Sequence, residues 1–342
     1  MTRIERIRTV MAGGVPDRVP VMTHNFLMAA REAGVTMAEY RSSSDVIAST
    51  LIAAQQKYDT DGILLDVDTA LLASACGADV VYPNDIAAVT RDFQPRPIQQ
   101  IIQDLANVDL TKSDRICIYL ESINKMAQWC NANDVFLRAN ADQGPFSLGC
   151  LLVGMNEFLM TLLDEDEEEN LLALMEQTSR IALDMHRLCR QAGGHCTSYG
   201  NSSEGCSVVS PAVFRKFAKP FEIRLNRQLK AEGIPTICHI CGWTDPILPD
   251  LAETGIPMFE FDARTDPRKV QQIGSGHFVM SGNLDPAMLN SGKPEEVTAA
   301  ARELLELFRG KGGLMIGPGC ALGPDTPSEN IFALVKATKQ FG

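Results

Sequence analysis

The residues best suited to chemistry sit in the segment ICHICGW. His239 and Cys241 are two apart, and on a strand that spacing puts both side chains on one face, within reach of one ion. Cys320, in LMIGPGCALG, has a glycine immediately before it that permits close backbone approach. Two cysteines and one histidine suit zinc, and three protein ligands leave a fourth position open, the pattern of a catalytic rather than a closed structural site. With two thiolates such an ion is about neutral and can still polarise an incoming thiol or oxygen. Glu204, in NSSEGCS, is a candidate fourth ligand or acid–base group, and Asp68, in DVDTALL, a second candidate acid. Cys238 falls on the opposite strand face and reads as packing. His195 and His277 begin strand patterns, far from strand ends where chemistry gathers, and read as structural. The acidic run 165–169 precedes a helical pattern, where carboxylates favour the helix N-terminus. No G-x-G-x-x-G spacing follows a strand, so a dinucleotide fingerprint is absent.

Positioning these groups falls to eight short apolar or β-branched runs, at 18–23, 62–66, 135–140, 195–201, 235–241, 258–262, 277–283 and 314–320. Helical spacing of apolar residues separates them, as in 168–192, 211–231 and 294–308. Ser210-Pro211 and Lys293-Pro294 read as helix starts with proline at the first position. Alternating strand and helix imply parallel strands with right-handed crossovers. Eight such units without a linker predict an α/β fold, a single-domain (β/α)8 TIM barrel spanning 1–342, with a helix packed against it before residue 18. The long stretch between the second and third runs must hold extra elements. In a barrel, function sits at the C-terminal strand ends. Polar groups gather there, including His24, Asn25, Asp68, Asp262 and His239, whereas the strand bodies read as apolar. His24-Asn25-Phe26-Leu27, with Phe146 and Trp243, is a candidate lining for an aromatic ring.

Composition bounds the rest. The chain has 342 residues, 31 Lys+Arg against 43 Asp+Glu and a net charge of −12, a balance that argues against a nucleic-acid surface. Hydrophobic residues at 45% and charged residues at 22% are globular values. The longest apolar stretch, 151–163, is broken by Asn156 and Glu157, too short to cross a membrane. The N-terminus lacks a signal-peptide core. Ten cysteines are too sparse for a disulfide scaffold. The expectation is a soluble, cytoplasmic protein; monomer and homo-oligomer both stay open.

From end to end, RIERIRTVMAGGVPDRVPV, DQGPFSLG, VVSPAVFRKFAKPF, CHICG, SGNLDP and GPGCALGPDTPSENI resemble the uroporphyrinogen decarboxylase superfamily. Within it, His239-x-Cys241 with distant Cys320 resembles the zinc motif of the corrinoid-dependent methyltransferases, which include methylcobamide:coenzyme M methyltransferases and methyl-donor components of O-demethylases. The resemblance implies a (β/α)8 barrel, a zinc ion on those residues and a corrinoid cofactor. Asp184-x-His186 is followed by Cys189 where the corrinoid signature needs glycine, so the corrinoid must arrive on a partner protein. True decarboxylases carry an arginine-rich segment that binds substrate carboxylates. Here it reads REAGVTMAEYR, keeping Arg31 and Arg41 but with Val35 for the central arginine. The decarboxylase GHGI is Gly317-Pro318-Gly319-Cys320, losing a histidine and gaining a thiol. Asp68 matches the decarboxylase's pyrrole-binding aspartate, and Asn201 stands where the family usually has a substrate-contacting aspartate. The expected activity is methyl transfer between a small methylated substrate, a phenyl methyl ether first, and the cobalt of a corrinoid protein. A coenzyme M-type thiol acceptor, a zinc-free decarboxylase and a noncatalytic ligand-binding barrel are the alternatives.

Overall fold

The computed structural model describes residues 1–91 and 96–342. Seven parallel strands pair in chain order: β1 (Gly62–Leu65), β2 (Phe136–Gln143), β3 (Cys196–Gly200), β4 (Thr236–Ile240), β5 (Met258–Phe261), β6 (Val279–Leu284) and β7 (Leu314–Pro318). Residues 20–22 close the ring. Met22 N–H donates to the Ile316 carbonyl (3.1 Å), Ile316 N–H to Pro20 (2.9 Å), and on the other side Asp61 N–H to Val21 (2.9 Å). The expected strand over 18–23 thus shrinks to a single bridge between Val21 and Ile316. Pro20 has no N–H for a ladder, and the Val21 N–H is taken by the Asp61 carboxylate at 2.9 Å. The fold is a (β/α)8 TIM barrel.

One apolar residue from each stave fills the bottom of the lumen: Met22, Leu64, Phe136, Cys196, Ile237, Met258, Val279 and Met315. The helix Arg3–Met11, started by a Thr2–Glu5 capping box, presses Ile7 and Val10 onto this layer and stoppers the barrel. Period-two alternation then turns every second residue inward one layer higher: His24, Asp66, Arg138, Ser198, His239, Glu260, Ser281 and Gly317. The expectation of apolar strand bodies fails at this layer. Arg138 and Glu260 lie inside strands, on β2 and β5, and meet across the lumen through two hydrogen bonds of 2.9 and 2.6 Å. Small residues at 198, 281 and 317 leave them the space.

Between β1 and β2 the chain forms helices Leu71–Ala75, Ile98–Ala106 and Asp114–Ala132 and a short antiparallel hairpin, Val80–Val81 with Val89–Thr90. The helices expected at 168–192 and 294–308 form as Glu168–Gln191 and Pro294–Phe308. The one expected over 211–231 is interrupted by a π turn, Phe214–Ala218, before continuing as Lys219–Ala231. Pro220 cannot donate to the preceding turn, and the ladder widens ahead of it. Among the described residues no helix is long and apolar enough to cross a membrane.

Candidate functional site

His239 lies near the end of β4 pointing into the lumen, and Cys241 follows just beyond the strand on the same face. The His239 Nε2 lies 3.0 Å from Cys241 Sγ, and Cys241 Sγ lies 3.6 Å from Cys320 Sγ, which β7 delivers to the same mouth. The three donor atoms fall within 4.8 Å of one another, so one ion can bond all three. The tight turn carrying Cys320 requires Gly319, since a Cβ there would come within 2.8 Å of the Ala263 nitrogen. The thiols do not ionise alike: 3.6 Å apart, they share a proton. The Cys320 hydrogen bond, and then His239, hold the Cys241 thiol well below its usual range, while Cys320 is pushed above it. Burial depresses His239, but Cys241 and Glu260 outweigh it and raise the ring to about 9. Its Nδ1 is buried with no hydrogen-bond partner and faces Glu260 Oε2 at 3.6 Å. A metal-binding histidine usually turns its second nitrogen to such a carboxylate, which fixes the ring and strengthens the donor. The donor set, its convergence and this carboxylate fit a zinc ion.

Glu204 lies on the loop after β3 that wraps this corner. In that loop Ser202 Oγ donates to Cys241 Sγ at 3.4 Å, and Gly205 packs so closely that a Cβ would sit 2.5 Å from the Cys241 carbonyl oxygen. Both Glu204 carboxyl oxygens are buried without a partner. Burial, then neighbouring Glu222, push its pKa far above the usual carboxylate range, which favours the protonated form. Burial also raises Glu222 to about 7.

The other expected residues divide. His24 Nε2 is 2.8 Å from Asp66 Oδ2, with its ring 5.5 Å from Phe26. Asp68 is buried, bonded to Arg115 and capping the Ala70 N–H at 2.9 Å; burial raises its pKa even against Arg115. Asn25 precedes the helix Phe26–Glu32, buried and without a side-chain cap bond. Asp262 binds the Arg264 N–H at 2.9 Å beside Gly319. Asn201 does not face an open pocket. It is wholly buried, turned outward, and donates to Glu222 Oε1 at 2.7 Å, next to the Tyr199–Glu222 hydrogen bond. Phe146 and Trp243 do not form one aromatic lining. Phe146 is 1% exposed, edge-on to Phe158 at 5.1 Å, because its helix Pro145–Val153 is apolar on every side. Trp243 stands 44% exposed beyond β4.

Arg138 and Glu260 were not foreseen from the sequence. A charge interrupting a strand run, as in VFLRAN and MFEF, was the available signal. Asp142, a polar strand-end residue legible in the sequence, has a positive φ of 66° near the end of β2, and its Oδ2 accepts the Leu72 N–H at 2.6 Å. Burial drives Asp142 well above the carboxylate range.

A closed barrel with a cluster of soft ligands at its mouth defines a class of barrel proteins able to hold a metal ion there, and the comparisons narrow it. The family model for uroporphyrinogen decarboxylase (URO-D) matches residues 2–341, and the chain belongs to that family. It is 25% identical to the methylcobamide:CoM methyltransferase MtaA of Methanosarcina barkeri, over 98% of this chain and 97% of that protein. It is also 25% identical to the uroporphyrinogen decarboxylase of Syntrophotalea carbinolica, over 79% of each. A solved methyltransferase from Methanosarcina mazei superposes with a TM-score of 0.88 at 22% identity, covering 100% of this chain and 99% of that one. At that identity the likeness establishes the fold.

Proposed function

We propose that this protein, as one domain over residues 1–342, is a cytoplasmic corrinoid-dependent methyltransferase. It moves a methyl group between a small methylated substrate and the cobalt of a separate corrinoid protein that docks at the barrel mouth. The observation that carries the reading is the convergence of His239, Cys241 and Cys320 on one point at the strand ends. The full-length similarity to a methylcobamide:CoM methyltransferase supports it. Those three residues would hold zinc, with Glu260 behind His239 and Glu204 beside Cys241. Bound zinc supplies a positive charge that stabilises anionic character on a departing oxygen or an attacking sulfur.

A phenyl methyl ether is the proposed donor. The substrate lies beside His24, Asn25 and Asp262, with Trp243 at the margin, Asn201 supporting from behind through Glu222 and Phe146 supporting from within the core. Glu204, whose burial favours the protonated form, gives its proton to the oxygen that loses its methyl group, and Asp68 orients the ring end of the substrate. Proton donation grows as the C–O bond breaks, so it lowers the barrier instead of merely tightening binding. The second reading is a thiol acceptor of the coenzyme M type, favoured by the names of the curated methyltransferase relatives. Against it, Arg115 is committed to Asp68, and Arg41 to the main-chain carbonyls of Pro83 and Ile86, so neither is free for a sulfonate.

The test mixes enzyme, reduced corrinoid protein and candidate aryl ethers and follows cob(I)alamin converting to methylcob(III)alamin by absorbance. Ether-dependent conversion that is lost in Cys241→Ala and slowed in Glu204→Gln is the expected result. Demethylation of methylcobalamin by a thiol, without reaction of any ether, reverses the direction. Loss of carbon dioxide from a porphyrinogen, with neither methyl transfer, overturns the reading.

A further inference from the structure

At the N-terminal end of the barrel, opposite the His239–Cys241–Cys320 mouth, lies a cavity of about 660 Å³. Its size is within the range of about 300–1,000 Å³ typical of small-molecule sites. It opens between the start of β4, the loop into β6 and the end of the helix Lys219–Ala231. Two observations mark it as built for a ligand. First, no Asp or Glu lines it, in a chain with 43 of them, while Lys230 and Lys311 do. Among the described residues neither lysine belongs to an ion pair. Second, Thr236 lines the cavity 1% exposed, and its Oγ1 is buried without a hydrogen-bond partner among the described residues. A buried hydroxyl left unbonded costs stability, and a ligand that bonds it recovers that loss. Ile256, Phe278 and Phe308 give the walls an apolar, partly aromatic character. A bare inorganic anion would engage the lysines but leave these walls and the threonine empty.

We propose that this cavity is a second ligand site, independent of the chemistry at the mouth, for an aromatic hydroxycarboxylate. The ring system lies between the apolar walls, the carboxylate faces Lys230 and Lys311, and the hydroxyl at the far end bonds Thr236 Oγ1. Aromatic area supplies affinity at little cost in conformational freedom, and the two polar ends fix orientation.

The experiment titrates the full-length protein with three fluorescent probes, 6-hydroxy-2-naphthoate, 2-naphthoate and 2-naphthol, and reads anisotropy. The expected result is binding of the hydroxynaphthoate about tenfold tighter than either probe that lacks one polar group. The Lys230→Glu/Lys311→Glu variant, changed only at exposed positions, should weaken both carboxylates by about tenfold or more and leave 2-naphthol unchanged. Thr236→Val should erase the advantage of 6-hydroxy-2-naphthoate over 2-naphthoate. Three probes of equal affinity, no saturation below about 1 mM, or carboxylate affinities untouched by the charge reversal would each overturn the proposal. The last outcome would put any binding at the barrel mouth. Should Thr236→Val fail to fold, the lysine variant decides alone.

Discussion

Replacing Arg138 by methionine should destabilise this protein by about 3–5 kcal/mol, the typical loss when one partner of a buried ion pair is removed. The figure rests on burial. The Arg138 and Glu260 side chains are 3% and 8% exposed, and the guanidinium makes both hydrogen bonds to the carboxylate. Burial alone would raise Glu260, and Arg138 outweighs it, holding the carboxyl down at about 2. Without the arginine, the carboxylate remains in the lumen beside an apolar layer, with both of those hydrogen bonds lost and the His239 ring 3.6 Å away as its nearest compensating group. Unfolding entropy is about 2.1 cal/mol/K per residue, or about 0.7 kcal/mol/K for this length, so the midpoint should fall by about 4–7 °C. Circular dichroism melting in excess chelator, at one scan rate, reads this without a contribution from metal binding. The double variant Arg138→Met/Glu260→Leu should recover most of the stability, because no lone charge is left. It should still bind zinc about 10–100-fold more weakly than wild type, since His239 loses the carboxylate behind Nδ1. A single variant that loses under about 1 kcal/mol, a surface-pair value, or a double variant no more stable than the single, would refute the reasoning.

Other outcomes follow from the same geometry. Purified protein should carry one zinc per chain by elemental analysis, and Cys320→Ala should lose most of it; full occupancy at unchanged affinity would remove Cys320 from the site. Gly205→Ala should lower zinc affinity and methyl-transfer rate together, because its Cβ must push against the Cys241 carbonyl; unchanged zinc affinity by chelator competition would contradict this. Acid should destabilise the fold through two histidines. Burial holds His186 down at about 3, and burial followed by Arg8 and Arg190 holds His195 at about 4, against 6.5 when unfolded. Their contribution is therefore complete above about pH 6.5 and is lost as the pH falls toward 4 and then 3. Urea midpoints across that window should show a shallower slope for His195→Gln than for wild type; equal slopes would refute it.

The alternation of strands and helices is legible in the chain alone, because period-two and period-3.6 burial are written locally, residue by residue. The sequence also marked His239 and Cys241 as a pair, since two positions on one strand share a face whatever surrounds them. Cys320 became their companion only through the expectation of a closed barrel, which brings distant strand ends to one mouth. What tertiary structure alone decided is whatever depends on partners remote in the chain. Arg138 and Glu260 are 122 residues apart, and each looks like a fault in its strand until ring closure sets them face to face. Asn201 reads as a strand-end polar group, yet its position turns it outward onto Glu222 of the following helix. Phe146 had the chemistry of a pocket wall, but a helix apolar all round draws it into the core beside Phe158. Glu204, Asp68 and Asp142 have their pKa values raised by desolvation, and desolvation is a property of the packed barrel that no local spacing encodes.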